Sequence, residues 1–398
     1  MVTAFNHSKL IPYRSGQKWS YSDIDKNILF DFVYDEASWF CEGFAKVKRN
    51  SKYGIIDERG LQVIPCAYED VGVYSEGLVK VCFDSKYGFL DLNKDNIIKF
   101  KYNSARDFKN GLCCVEINEK FGFIDHKGDY KIEPKFDYAK NFSEGLAIVE
   151  MKGKYGFIDA YGNQPIPCIY ASAEDFSEGL ACVGIQEIGS PVKYGFIDKK
   201  GNIVIDFIYR TAKNFHEGLA RVEIKNEKYP RKNGNWGLGV SPTTNSRYLT
   251  VFIDKSGKEI LTLEDELDTR DRVLTDVHNG LIIIGDKYCQ TIVNKFGKEI
   301  LSLKYKYERV EPFFHGLALV LKNERVAGTK DEYESKYGFI NIKGEEVISC
   351  KYYYAADFRH GFAYASRYTK EGIEEGFINQ QGIEYWEGIS RKYRTARG

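Results

Sequence analysis

The sequence has no charge of either sign to spare: 57 Lys plus Arg balance 57 Asp plus Glu. No whole-protein field therefore exists to gather nucleic acid or an anionic membrane surface. Long apolar runs are missing too. Neither the first thirty residues nor any later segment reaches the length of a signal peptide core or a membrane span, which sets a cytoplasmic expectation with no membrane partner. The nine cysteines form no CxxC, and no His is spaced to complete a zinc site with them. An odd count suits small buried thiols of a reducing compartment better than a secreted disulfide framework. A phosphate-binding glycine loop, GxSxG, HExxH and a strand followed by GxGxxG are all absent. The expectation is a protein without enzymatic activity, cofactor or metal.

What the chain does have is aromatic residues and glycine: 29 Tyr, 26 Phe and 37 Gly in 398 residues, with 43% of positions hydrophobic. That composition belongs to a packed chain and excludes disorder. The phrase KYGFID, or a near copy, begins at Lys52, Lys86, Lys120, Lys154 and Lys193, after a degenerate first copy at Lys18. Later copies are VFID at Val251, TIVN at Thr291, KYGFIN at Lys336 and EGFIN at Glu375. A second phrase, FSEGLAxV, keeps the same beat, with its glycine at Gly43, Gly77, Gly111, Gly145, Gly179 and Gly218 and again at Gly280, Gly316 and Gly361. The first four full steps are 34 residues each and the next is 39.

A 34-residue period fits helical repeats as well as strands, so composition has to decide. The units are rich in Tyr, Phe, Ile and Val, carry Gly every dozen residues, and never sustain helical apolar spacing. Each unit reads as a three-stranded meander. In the copy starting at Phe142, the strands are Leu146 to Met151, Tyr155 to Asp159, and Gln164 toward Tyr170, with 171–179 as the connection.

Asp-x-x-Gly between the second and third strands, as in Asp159 to Gly162, is hairpin chemistry: the carboxylate accepts backbone N–H groups and the glycine supplies φ > 0. A row of single aspartates is too poor in oxygens for Ca²⁺. Gly156 and its equivalents interrupt a strand, which implies a close approach, expected to come from an aromatic ring of the next unit. Tyr155 and Phe157 then share one face, expected to be the common core rather than an exposed aromatic ladder. The glutamate of Ser-Glu-Gly (Glu42, Glu76, Glu144, Glu178, Glu217) is expected to bond backbone in its own turn. His216, His278, His315 and His360 fall in the Ser or Glu slot of that loop and could align as a file of imidazoles. Cys66, Cys168 and Cys350 share another slot and read as core.

The combined pattern KYGFIDxxGxxxIPxxYxxAxxFSEGLAxV resembles the bacterial WG-repeat family, in which Trp-Gly stands where most units here have Tyr-Gly; Trp236-Gly237 is a literal copy. The resemblance runs from about Ile11 to Gly382 and implies a β-rich repeat array without a common catalytic activity. Departures are Lys94 in place of the turn glycine, Asn294, Asn341 and Asn379 in place of the turn aspartate, and an irregular rhythm between Lys225 and Lys306.

The fold expectation is all-β: about ten units of ~34 residues in tandem. An open solenoid or superhelix is favoured over a closed propeller-like ring, because four-stranded blades take about 40 residues or more. Regular repeats fill 1–224, divergent repeats with basic and acidic insertions fill 225–306, and C-terminal repeats with a basic tail fill 307–398. Function should lie where the rhythm breaks, since insertions in repeat arrays become surface loops. The basic, aromatic stretch after Lys225 supplies Tyr229, Arg231, Lys232 and Trp236 as the partner-binding candidates, a combination enriched at interaction hot spots. The acidic run Glu264, Asp265, Glu266 and Asp268 follows, and 323–335 is a further loop outside the repeat. A scaffold holding a protein or peptide, assisted by open strand edges at the ends of the array, is the first expectation. Recognition of a cell-wall glycan or nucleic acid by spaced aromatics is the alternative.

Overall fold

A computed structural model describes residues 10–92, 97–225, 248–263, 272–286, 289–325 and 333–392. Every regular element among them is a strand. The chain forms two compact units: Met1–Phe136 with Glu324–Asn341 and Glu345–Gly398, and Asp137–Asn323 with Ile342–Gly344.

The repeating element is a four-stranded antiparallel sheet, one strand more than the sequence suggests. In the copy starting at Tyr138, Tyr138–Ala139 pairs with Leu146–Met151, which pairs with Lys154–Asp159, which pairs with Ile166–Tyr170. The additional strand is only two residues long and sits in the segment read as a connection. Four strands thus fit a 34-residue period, and the length argument against four-stranded units does not hold.

Ten copies of the repeat phrase make nine sheets among the described residues. The reason lies at the termini. Strand Ile11–Ser15 pairs with Lys18–Ser22 on one side and in parallel with Glu384–Glu387 on the other, so the first and last copies complete the same sheet. Arg14 on that first strand forms a 2.6 Å ion pair with the buried Glu375. The free strand edge expected at the start of the array is therefore already occupied.

The core lies between successive sheets. Leu146, Ile148, Phe157, Ile166 and Tyr170 of one sheet pack on Phe176, Ala181, Val183 and Ile197 of the next. Phe157 meets Phe176 edge to face at 4.9 Å, and the equivalent pairs Phe89–Phe108, Phe196–Phe215 and Phe339–Phe358 repeat the contact. The phenylalanines are core, as expected, with Tyr155 partly buried at the same cluster.

The strand glycine has a different neighbour from the one expected. A Cβ on Gly156 would lie 2.6 Å from the Ile166 carbonyl oxygen and 2.6 Å from the Pro167 carbonyl carbon, backbone of its own sheet. The register explains this: Tyr155 faces Tyr170 and Phe157 faces Ile166, so the third strand bulges through Pro167, Cys168 and Ile169. Proline, with no N–H for the ladder, is at home there. Close approach between sheets falls instead on the turn glycines, where Gly128 sits on Ile98 and Gly201 on Ile166.

The Asp-x-x-Gly turns are built as the sequence indicates. Asp159 Oδ1 accepts the N–H groups of Tyr161 and Asn163, both at 2.9 Å, and Gly162 has φ 81°. Asn294 and Asn379 accept the same pair of N–H groups, which is why the substitution is tolerated. All nine cysteines are free thiols. Cys350 is buried, whereas its slot-mates Cys66 and Cys168 are half-exposed.

Candidate functional site

The Ser-Glu-Gly loop is a two-residue hairpin turn. Ser143 and Leu146 exchange backbone hydrogen bonds at 2.8 and 3.0 Å across Glu144 (φ 51°) and Gly145 (φ 91°). Left-handed backbone at both central positions is the type I′ arrangement that matches strand twist and favours Asn-Gly. Glutamate is a poor choice there on conformation alone. Its side chain supplies the reason.

Against the expectation from sequence, Glu144 does not bond within its own turn; it reaches the next one. Gly179 N–H donates to Glu144 Oε2 at 3.0 Å, Gly218 N–H to Glu178 at 3.0 Å, and Gly111 N–H to Glu76 at 2.9 Å. Glu217 likewise accepts from Asn279 and Gly280. A basic side chain from the following unit completes each of the first three: Lys199 on Glu144, Lys255 on Glu178 and His126 on Glu76, within 3.1 to 3.2 Å. Burial pushes the Glu144 and Glu178 carboxyls up. The Lys ammonium and the glycine N–H outweigh it and hold both below the usual carboxylate range. The preceding serine adds a second bond. Ser75, Ser143 and Ser177 hydroxyls donate to the carbonyls of Phe108, Phe176 and Phe215 in the next unit.

This clasp changes character between residues 213 and 279. The serine slot becomes His216 and then His278, whose rings lie 5.4 Å apart, and His278 in turn meets Phe314 at 5.6 Å. Two of the four imidazoles seen in the sequence thus stand side by side. The bond that Ser would make passes to Asn279, whose Nδ2 donates to the Phe313 carbonyl at 2.8 Å. The imidazole of His278 is released from that structural duty.

Beside the two rings opens a cavity of about 340 Å³ whose polar lining includes Glu174, Lys213, His216, Arg221, Asp276 and His278. Its floor is core: Phe215, Leu219, Phe252 and Val277 are buried. A second cavity of about 590 Å³ shares Glu174, Lys213 and Arg221 with it. Asp276 is held by Arg221 at 2.9 Å and Glu174 lies 3.7 Å from Lys140. Lys213, His216 and His278 make no side-chain hydrogen bond or ion pair among the described residues. The uncommitted groups of the cleft are therefore a cation, two imidazoles and the amide oxygen of Asn214, which is buried without a hydrogen-bond partner.

Tyr229, Arg231, Lys232 and Trp236 lie outside the described residues, as do Trp236-Gly237 as a repeat and the acidic run from Glu264 to Asp268. The sequence reading picked out His216 and His278 but not Lys213, Arg221 or Asp276. Those three are ordinary charged residues in variable slots, and only the fold gathers them.

Comparison of the structure with solved ones finds a crystal structure of a eukaryotic initiation factor, at 9% identity and TM-score 0.52, with 94% of each chain covered. BamB from Moraxella catarrhalis is similar over 70% of this chain and 86% of its own, at 10% identity and TM-score 0.36. Tricorn protease is similar over 95% of this chain and 49% of its own, at 11% identity and TM-score 0.33. The first likeness is one of fold alone. No curated protein matches the sequence. The WG containing repeat family matches over residues 19–53, 53–87, 87–121, 121–155, 155–185, 194–229, 291–325 and 337–366. With these segments covering more than half of the residues, the chain belongs to the WG containing repeat family.

Proposed function

We propose that this chain is a non-enzymatic repeat scaffold that holds a protein or peptide partner in the cleft lined by Lys213, His216 and His278. The observation that carries the reading is a contrast between repeated and unrepeated residues. The turn aspartates, the clasp glutamates and the phenylalanines are consumed in folding. His216 and His278 depart from the pattern, and together with Lys213, whose slot holds Arg106, Lys140 and Glu174 in other units, they face a cavity and have no such duty. Tyr229, Arg231, Lys232 and Trp236 follow in sequence on Ala220–Lys225, the strand that carries Arg221, so the proposal includes them as further contacts.

The alternative of glycan or nucleic-acid recognition by spaced Tyr and Trp rings finds less support, because the repeated tyrosines Tyr53, Tyr87, Tyr155 and Tyr194 are partly buried against the cores. A capture experiment separates the two. Wild-type protein and a variant with Lys213, His216 and His278 all replaced by Ala are each presented with cell lysate, a glycan panel and single-stranded nucleic acid. A protein retained by the wild type and lost by the variant supports the scaffold reading. Retention of glycan or nucleic acid without any protein contradicts it.

A further inference from the structure

We infer that the segment this cleft takes is acidic: a partner's Asp or Glu carboxylate seated among Lys213, His216 and His278. The inference rests on the scaffold reading above and names the chemistry of the partner. After the internal pairs Arg221–Asp276 and Lys140–Glu174 are formed, the cation left without a counter-charge in the cleft is Lys213, beside the two imidazoles and the unpartnered amide oxygen of Asn214. Lys213 brings three N–H groups and no acceptor, and an imidazole brings one N–H when neutral and two when charged. The natural complement of the unpaired Lys213 ammonium is an anion, and an ionised carboxylate, which also accepts the imidazole N–H groups, is the one that proteins carry.

Two other occupants fit less well. A transition metal uses at least three protein ligands even in open catalytic sites, whereas no group of three His, Cys, Asp or Glu converges among the described residues. A nucleic-acid backbone would bring a train of phosphates against Glu174 and Asp276, which line the same cavity. A single carboxylate brings one charge against those two where a nucleic-acid backbone brings several. The apolar floor of Phe215, Leu219 and Val277 gives the methylenes beside that carboxylate a dry surface.

The test is selection of random peptides displayed on phage against immobilised full-length protein, Lys213→Glu and Lys152→Glu. Lys213 and Lys152 are both exposed, and Lys152 lies at the opposite end of the strand Leu146–Met151 from the Ser-Glu-Gly loop. A His216→Ala/His278→Ala variant serves as a second probe of the cleft, and circular dichroism checks that every variant folds. Enrichment of Asp- and Glu-containing peptides on the wild type and on Lys152→Glu, lost on Lys213→Glu, is the expected result. A synthetic peptide from that pool should then bind Lys213→Glu on the order of tenfold more weakly than wild type by fluorescence polarisation. Enriched peptides with no acidic preference that still depend on the cleft would overturn the acidic assignment and leave the scaffold reading standing. Enrichment indifferent to every cleft variant would overturn both.

Discussion

Gly179 donates its backbone N–H to the carboxylate of Glu144, a residue 35 positions earlier, at 3.0 Å. The two occupy neighbouring slots of the same loop phrase, one unit apart. Four units, those of Glu76, Glu144, Glu178 and Glu217, thus bond through their turns to the turn of the next, and there the period of the sequence becomes a contact between units. A left-handed glutamate is unfavourable as a turn residue, and the bond to the next turn offsets that cost.

Replacing Glu144 by Ala should destabilise the protein by on the order of 1 kcal/mol, a modest figure because about a third of the side chain stays exposed. Glu144→Asn is the informative companion. Asparagine suits the turn and has no charge to pair with Lys199, retaining only an amide bond of the kind Asn279 makes to Phe313, so the difference between the two variants, read from thermal melts, separates turn preference from the charged bond between units.

Stability should fall in acid through the same residues. Glu144 and Glu178 are held below the usual carboxylate range in the folded state, so the unfolded chain binds their protons more readily. Their contribution is complete above the unfolded value of about 4.3 and fades as pH drops through that value and below it. Urea melts at pH 7, 5 and 3.5 should lose less stability in a Glu144→Gln/Glu178→Gln variant than in wild type. An equal loss would assign the acid sensitivity to other groups.

Gly156→Val should cost about 1–3 kcal/mol, because the added carbons meet the Ile166 and Pro167 backbone, which cannot rotate away. Gly179→Ala meets no atom within 4 Å and pays only for its φ of 90°, on the order of 1 kcal/mol. Asn163→Ala loses one exposed side-chain bond to Asp159 and should shift the melt by less than about 0.5 kcal/mol. That ranking is checked by denaturant unfolding of the three variants.

Asp159→Asn should be nearly neutral and Asp159→Ala destabilising. Asn294 and Asn379 already hold equivalent turns through Oδ1, so the turn needs an acceptor and not a charge. Thermal melts in which Asn and Ala cost the same would contradict this.

Much of the fold was legible because each repeated slot answers to a local rule. Asp-x-x-Gly is turn chemistry wherever it occurs, and strands Leu146–Met151 and Lys154–Asp159 follow from alternation and composition. The two-residue strand Tyr138–Ala139 was not legible, since two residues carry no period. The neighbour of Gly156 was hidden for another reason: it depends on a bulge in a different strand, set by pairing and not by residues near the glycine. Glu144 was assigned to its own turn because a sequence gives no distance between consecutive turns. At the candidate site, His216 and His278 stood out as departures from a slot, whereas Lys213, Arg221 and Asp276 became a group only when three segments folded to one cavity.

The central claim is that repeated residues serve folding and the departures at the cleft serve binding. Its most direct test is the thermal midpoint of the Lys213→Ala/His216→Ala/His278→Ala variant, measured beside Glu144→Ala under one set of conditions. The account predicts a midpoint close to wild type for the triple variant and a clear drop for the single clasp variant. A triple variant that melts as early as Glu144→Ala, or earlier, would show that the cleft residues hold the fold together, and the division of labour would be wrong.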